Sequence, residues 1–257
     1  MQPGTVVGPY QITDILGQGG NARVYRVRHR TLRTDHALKV PLFTDPESRL
    51  RLLREGRVQA SLRHPNIVSV REIVHVNGTP ALVMDFAGSR TLADVLARGP
   101  LPPAEATAVF RQICLGMASA HGAGLLHRDL KPANILVADG GAPMRVQITD
   151  FGLGGPGAME QDGATDGDTW EGTLLYSPPE RSRGQTAATS QADVFALGCI
   201  YYELLTGRRA FEAETVVGAL QKMQAGAWPR PAHVPREALA VLEACLAPDP
   251  RRRARSL

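Results

Sequence analysis

A chain of 257 residues, 43% hydrophobic and 21% charged, can bury a sizeable core, either as one large domain or as two modest lobes. No stretch reaches the roughly 18 consecutive apolar residues that would span a bilayer. The net charge is +4, but the basic residues are scattered and aromatics make up only 5%, which leaves no stacking platform for nucleic acid. The N-terminus, MQPGTVVGPYQITD, has no basic region followed by an apolar run, so no export signal is expected. Cys114, Cys199 and Cys245 lie in apolar, helix-like surroundings without metal spacing. They are expected to be buried thiols in a reducing, cytoplasmic compartment.

Residues 8 to 43 alternate in the strand manner around a glycine cluster and predict three strands. SRLRLLREGRVQASLRH then predicts a helix whose apolar face carries Leu52, Val58 and Leu62 together with Glu55. REIVHVNGTPALVMDF reads as a hairpin turning at Asn77 and Gly78, and AGSRTLADVL as a short crossing. A small sheet-rich lobe is therefore expected over 8–86. From PPAEATAVFRQICLGMASAHGAG onward the pattern is helical, through QADVFALGCIYYELLTG, TVVGALQKMQAG and REALAVLEACLAP. This predicts a larger, mainly helical lobe over 87–257. The stretch GGPGAMEQDGATDGDTWEG, 154–172, is rich in glycine and acids and reads as a long mobile loop.

Several short stretches carry chemistry. In GQGGNARV, residues 17–24, glycines such as Gly17 and Gly19 would let backbone amides approach an anion, though the same stretch serves equally as a plain turn. The helix a dinucleotide fold needs next is missing. In HALKV, Ala37 and Lys39 share one side of a strand, which turns the Lys39 amine toward a cleft unless it is an edge lysine that snorkels. Glu55 on an apolar helix face needs a cation, and Lys39 is its nearest sensible partner. HRDLKPANIL, 127–136, places Asp129 to accept a hydroxyl proton, Lys131 to steady a phosphoryl group and Asn134 to give Mg²⁺ a neutral oxygen. ITDFGL adds Asp150, a hard carboxylate suited to the same ion. Either acid alone would read as a turn or helix cap.

Together, HRDLKPAN, DFG and the strand lysine resemble the eukaryotic-type (Hanks-type) protein kinases, in order from Leu16 to Arg253. Of the 29 basic residues only Lys39, Lys131 and Lys222 are lysine, and a compact ammonium is not interchangeable with a guanidinium fork. The resemblance implies an α+β, two-lobed kinase-like fold: a small antiparallel-sheet N-lobe with one long helix, and a larger helical C-lobe. It implies ATP and Mg as cofactors and transfer of the γ-phosphoryl group to a Ser/Thr hydroxyl of a protein substrate. Autophosphorylation through transient self-association would fit the same reading. Lys131, two residues after Asp129, and Thr173 in GTLLYSPPE favour the serine/threonine branch, and the arginine-rich short form resembles bacterial members.

By the same resemblance, Leu16, Val24, Ala37 and Leu136 would sandwich adenine, while backbone groups of Asp85 and Ala87 would bond its edge beside Met84. Glu180 and Arg253 resemble the buried pair that supports the large lobe, and Asp193 the acid that braces the catalytic loop. Thr165 and Thr169 stand as loop acceptors. Ala22 replaces the third loop glycine, Pro178-Pro179-Glu180 replaces an APE triplet, and Gln59 stands where relatives pack an apolar residue. The rival readings are a pseudokinase acting as a nucleotide-binding or scaffolding module, and a small-molecule kinase of related fold.

Overall fold

The computed structural model describes residues 1–19, 22–42, 45–138, 143–151, 174–182, 189–232 and 234–254, apart from the side chains of Arg51 and Glu55. Six strands, β1 (Val6–Val7), β2 (Tyr10–Gln18), β3 (Ala22–His29), β4 (Asp35–Pro41), β5 (Val70–Val76) and β6 (Thr79–Asp85), form one antiparallel sheet in the order β1-β2-β3-β4-β6-β5. The three strands expected over 8–43 are β2 to β4, and β1 is a short addition before them. Alternation along β4 divides the core in two. Leu38 and Val40 pack with Tyr10, Ile12 and Val27 on one face, while Ala37 packs with Leu52 and Val70 on the other. At the β5–β6 turn, Asn77 at φ 50° and Gly78 at φ 77° have the paired positive angles of a two-residue hairpin loop.

The helix α1 (Pro46–Ser61) begins where Asp45 accepts the Ser48 N–H at 2.8 Å and Pro46 occupies the first turn. It crosses β5 and β6 on the Ala37 face. A Cβ on Gly56 would lie 2.9 Å from Leu82 Cδ2, so a larger residue there would make the Leu82 side chain shift. Gln59 is buried on this helix, and its Nε2 donates to the Val68 carbonyl at 3.1 Å. The Val68 N–H donates in turn to Ile148 O at 2.9 Å, which ties α1 to the strand that precedes Asp150. The polar replacement is thus satisfied. Gln59→Ala is expected to destabilise the fold by about 1–3 kcal/mol, since it strands a buried carbonyl and opens a void. Urea unfolding measures this, and an unchanged midpoint would refute it.

The C-terminal part contains α2 (Leu92–Leu96), α3 (Pro103–Gly122), the two-stranded β7 (Ile135–Val137) and β8 (Val146–Ile148), then α4 (Pro179–Ser182), α5 (Ser190–Thr206), α6 (Val216–Ala225) and α7 (Arg236–Cys245). Helix α5 is buried almost all round, from Asp193 to Leu205, as a helix at the centre of a core must be. It packs on α3 and α7. The large core around it also takes in Leu62 and Ile67 from the sheet-rich part. Sheet and helices are thereby joined into the two-lobed α+β architecture.

Cys199 and Cys245 are buried and Cys114 is half-buried. Burial pushes the Cys114 thiol up to about 12 and the Cys245 thiol up to about 11. Among the described residues no helix is long and apolar enough to cross a membrane. The expected loop over 154–172 lies outside the described residues.

Candidate active site

The segment from His127 to Asn134 is held from below by Asp193, in the first turn of α5. Its carboxylate accepts the backbone N–H of His127 at 3.0 Å and of Arg128 at 2.9 Å, and His121 Nε2–H at 2.8 Å. Burial pushes the Asp193 carboxyl up, but these donors bring it below its ordinary value. The anchorage supports Arg128 at φ 71°, a left-handed angle that costs a non-glycine residue on the order of 1–3 kcal/mol. His127 is completely buried, and burial lowers its pKa, so the ring is neutral. Its Nε2–H donates to Thr149 O at 2.9 Å, which leaves Nδ1 to accept the Asp129 N–H at 3.4 Å. The ring packs on Phe151 at 4.9 Å.

The Asn134 amide donates to Asp129 twice, at 2.7 Å to the backbone oxygen and 3.2 Å to Oδ2. Its own Oδ1 remains a neutral acceptor. Lys131 Nζ lies 3.1 Å from the same Oδ2. Strands β7 and β8 pair Ile135 with Ile148, and the Thr149 N–H donates to Asn134 O at 3.0 Å. Asn134 and Asp150 therefore emerge at the same end of this ladder. Asp150 adopts φ 66° and meets Lys39 Nζ at 2.6 Å, which joins the sheet to the helical part. Burial pushes the Asp150 carboxyl up, yet the Lys39 ammonium beside it holds it below its ordinary value. It is ionised near neutrality. Glu55's side chain, the expected partner of Lys39, and Thr173 both lie outside the described residues.

Beside these charges lies an apolar wall. Ala37, Leu82 and Met84 are buried in one cluster, and Leu16, Val24, Ala87 and Leu136 pack against it. All four residues expected to sandwich a base are thus brought together. The Asp85 N–H donates to Ser69 O at 3.0 Å, so the backbone group it can offer a ligand is its carbonyl. Asp85's carboxylate pairs with Arg71, and Arg26 lies 4.7 Å over the Phe86 ring. At Gly17 and Gly19 an added Cβ would meet nothing within 4 Å, so packing does not explain the glycines.

Protein kinase domains match this chain over residues 10–256. The chain belongs to the protein kinase domain family. This kinase domain is 37% identical over 225 residues to the serine/threonine-protein kinase PrkC of Bacillus subtilis, covering 86% of the chain and 34% of that protein. It is 35% identical over 256 residues to the serine/threonine-protein kinase PkaA of Streptomyces coelicolor, covering 94% and 47%. The serine/threonine-protein kinase PknB of Mycobacterium leprae is 35% identical over 216 residues, covering 81% and 34%. The chain thus spans between 34% and 47% of the length of these relatives.

Sequence reasoning missed three positions around the site of this kinase domain. His121 was unremarkable, although its place in the last turn of α3 aims it at α5. Gln59 stood out only as a departure, without its Val68 partner. Arg181 donates from Nη1 to the Arg128 carbonyl at 3.0 Å, a contact across 53 residues that no local pattern announces.

Proposed function

We propose that this kinase domain is the catalytic part of a cytoplasmic protein serine/threonine kinase that transfers the γ-phosphoryl group of ATP to a Ser/Thr hydroxyl. Residues 8–86 form its nucleotide-binding N-lobe and 87–257 its C-lobe. The observation that carries this reading is the connected set Lys39–Asp150 and Lys131–Asp129–Asn134, lying beside one apolar wall. A scaffolding pseudokinase has no chemical need for all five.

The wall of Leu16, Val24, Ala37 and Leu136 would hold adenine, with the Asp85 carbonyl and Ala87 backbone at its edge and the Gly17–Gly19 stretch over the phosphates. Lys39 would grip phosphate oxygens, with Glu55 orienting it. Among the described residues no group of three or more His, Cys, Asp and Glu could hold a metal. Asn134 Oδ1 and the ionised Asp150 are two hard oxygen donors, which suits Mg²⁺ completed by water and phosphate oxygens. When bound there, the ion neutralises phosphate charge. Asp129 would take the acceptor's hydroxyl proton as that oxygen bonds to the γ-phosphorus and the bridging oxygen leaves with ADP. Lys131 steadies the transferred group, and Thr173 would contact both Asp129 and Lys131.

Autophosphorylation at Thr165 or Thr169 through transient self-association belongs to the same proposal. Incubation with labelled ATP, Mg²⁺ and a generic protein acceptor should label Ser and Thr, and EDTA should abolish the label. Label on a small molecule alone would overturn the protein-kinase reading.

A further inference from the structure

The backbone around Asp129 is held peptide by peptide. Asp193 takes the N–H groups of His127 and Arg128, and the Asn134 amide takes the Asp129 carbonyl at 2.7 Å. Between these lies the peptide that joins Arg128 to Asp129. It is a rigid plane, so its orientation sets where the Asp129 side chain leaves the backbone. Its N–H reaches His127 Nδ1 only at 3.4 Å, a long bond that contributes little. Its carbonyl accepts Arg181 Nη1 at 3.0 Å. That bond has a charged donor and is the stronger of the two.

This peptide needs a firm hold because Arg128 stands before it at φ 71°. A residue other than glycine keeps such an angle only where its surroundings over-determine it. Asp193 Oδ1 holds the Arg128 N–H at 2.9 Å on one side of the strained dihedrals, and Arg181 holds the Arg128 carbonyl on the other. Arg181 itself stands on a fixed base. Its neighbour Glu180 is buried and gripped through both oxygens by Arg253, at 2.6 and 2.7 Å, and the Arg181 N–H donates to Pro178 O at 3.0 Å. The Arg181 side chain is half-buried and lines one small cavity with Asp129 and Tyr176.

We propose that Arg181 is a positioning residue for phosphoryl transfer, which fixes the peptide before Asp129 and through it the carboxylate that takes the acceptor's proton. The proposal rests on the kinase reading above and adds to it a residue that acts only through Asp129. Displacing a reacting group by about 1 Å can cost about 10²-fold in rate. The nucleotide side, with Lys39, Asp150 and the apolar wall, is built from other elements. Arg181 should therefore govern turnover and leave ATP binding alone.

Steady-state kinetics well below the melting temperature test this. Arg181→Met keeps a long stem and removes the donors, so kcat should fall about 10- to 100-fold while KM for ATP stays unchanged. The melting temperature should drop by less than about 4 °C, the worth of one hydrogen bond in a chain of this size. Arg181→Lys can still donate to the carbonyl and should regain most of the lost turnover. The decisive variant is Asp129→Asn/Arg181→Met, which should be about as slow as Asp129→Asn alone, because residues that act as a unit are not additive. Losses that multiply would overturn the proposal, as would Arg181→Met turning over like wild type or raising KM for ATP in place of lowering kcat. Arg181→Lys as slow as Arg181→Met would overturn it too. Asp129→Asn that turns over like wild type would instead count against the kinase reading.

Discussion

Asp129→Asn is expected to leave a folded protein whose kcat falls by about 10²- to 10⁴-fold, the usual loss when a positioned proton acceptor is removed. The side chain is 32% exposed and is held by Lys131 at 3.1 Å and by the Asn134 amide. An asparagine can keep one such contact, so the melting temperature should barely move. Lys39→Met should match the loss in kcat for a different reason. It removes the cation that counters burial at Asp150, so that carboxyl becomes easier to protonate and Mg²⁺-dependent nucleotide affinity should fall as well. The two variants separate in a titration with a fluorescent ATP analogue, where Asp129→Asn should bind like wild type and Lys39→Met should not. Near wild-type turnover of either variant at saturating ATP would sink the catalytic assignment.

What was legible in the sequence follows the length of the contact. Asp129, Lys131 and Asn134 interact within five residues of chain, so HRDLKPANIL spells their chemistry as one word. The alternation of HALKV likewise foretold that Ala37 and Lys39 share a face, because a strand's side chains have a period of two. The role of Asp193 could be anticipated only through the family resemblance, and its bond to His121 across 72 residues was not anticipated at all. Backbone strain was equally hidden: neither Arg128 nor Asp150 is a residue type that demands a positive φ, and both adopt one because the surroundings over-determine them. Gln59 looked like a defect until Val68 supplied its acceptor. Arg181 was hidden in the same way, since its bond to the Arg128 carbonyl spans 53 residues.

Arg253 supports the other large expected effect, on stability. Its guanidinium grips both Glu180 oxygens, at 2.6 and 2.7 Å, with the side chain wholly inaccessible. It also donates to the carbonyls of Ala247 at 2.8 Å, Gln191 at 2.9 Å and Pro248 at 3.2 Å, and lies 4.9 Å over the Phe195 ring. Arg253→Met would leave the Glu180 carboxylate buried without a counter-ion, which costs about 3–5 kcal/mol. At about 2–4 °C per kcal/mol for a chain of this size, the melting temperature should fall by roughly 6–20 °C. Arg253→Lys should be nearly as damaging despite keeping the charge, because one ammonium cannot hold both oxygens and three carbonyls. Glu180→Leu/Arg253→Met should regain part of the loss: the charge to be desolvated is gone, but the three carbonyls stay unanswered. Helix α4, which carries Glu180, also carries Arg181 and follows directly on Tyr176, so loosening it should lower activity at temperatures where the protein is still folded. Calorimetry beside a kinase assay measures both effects, and a shift below about 2 °C for Arg253→Met would show that this pair does not hold the lobe together.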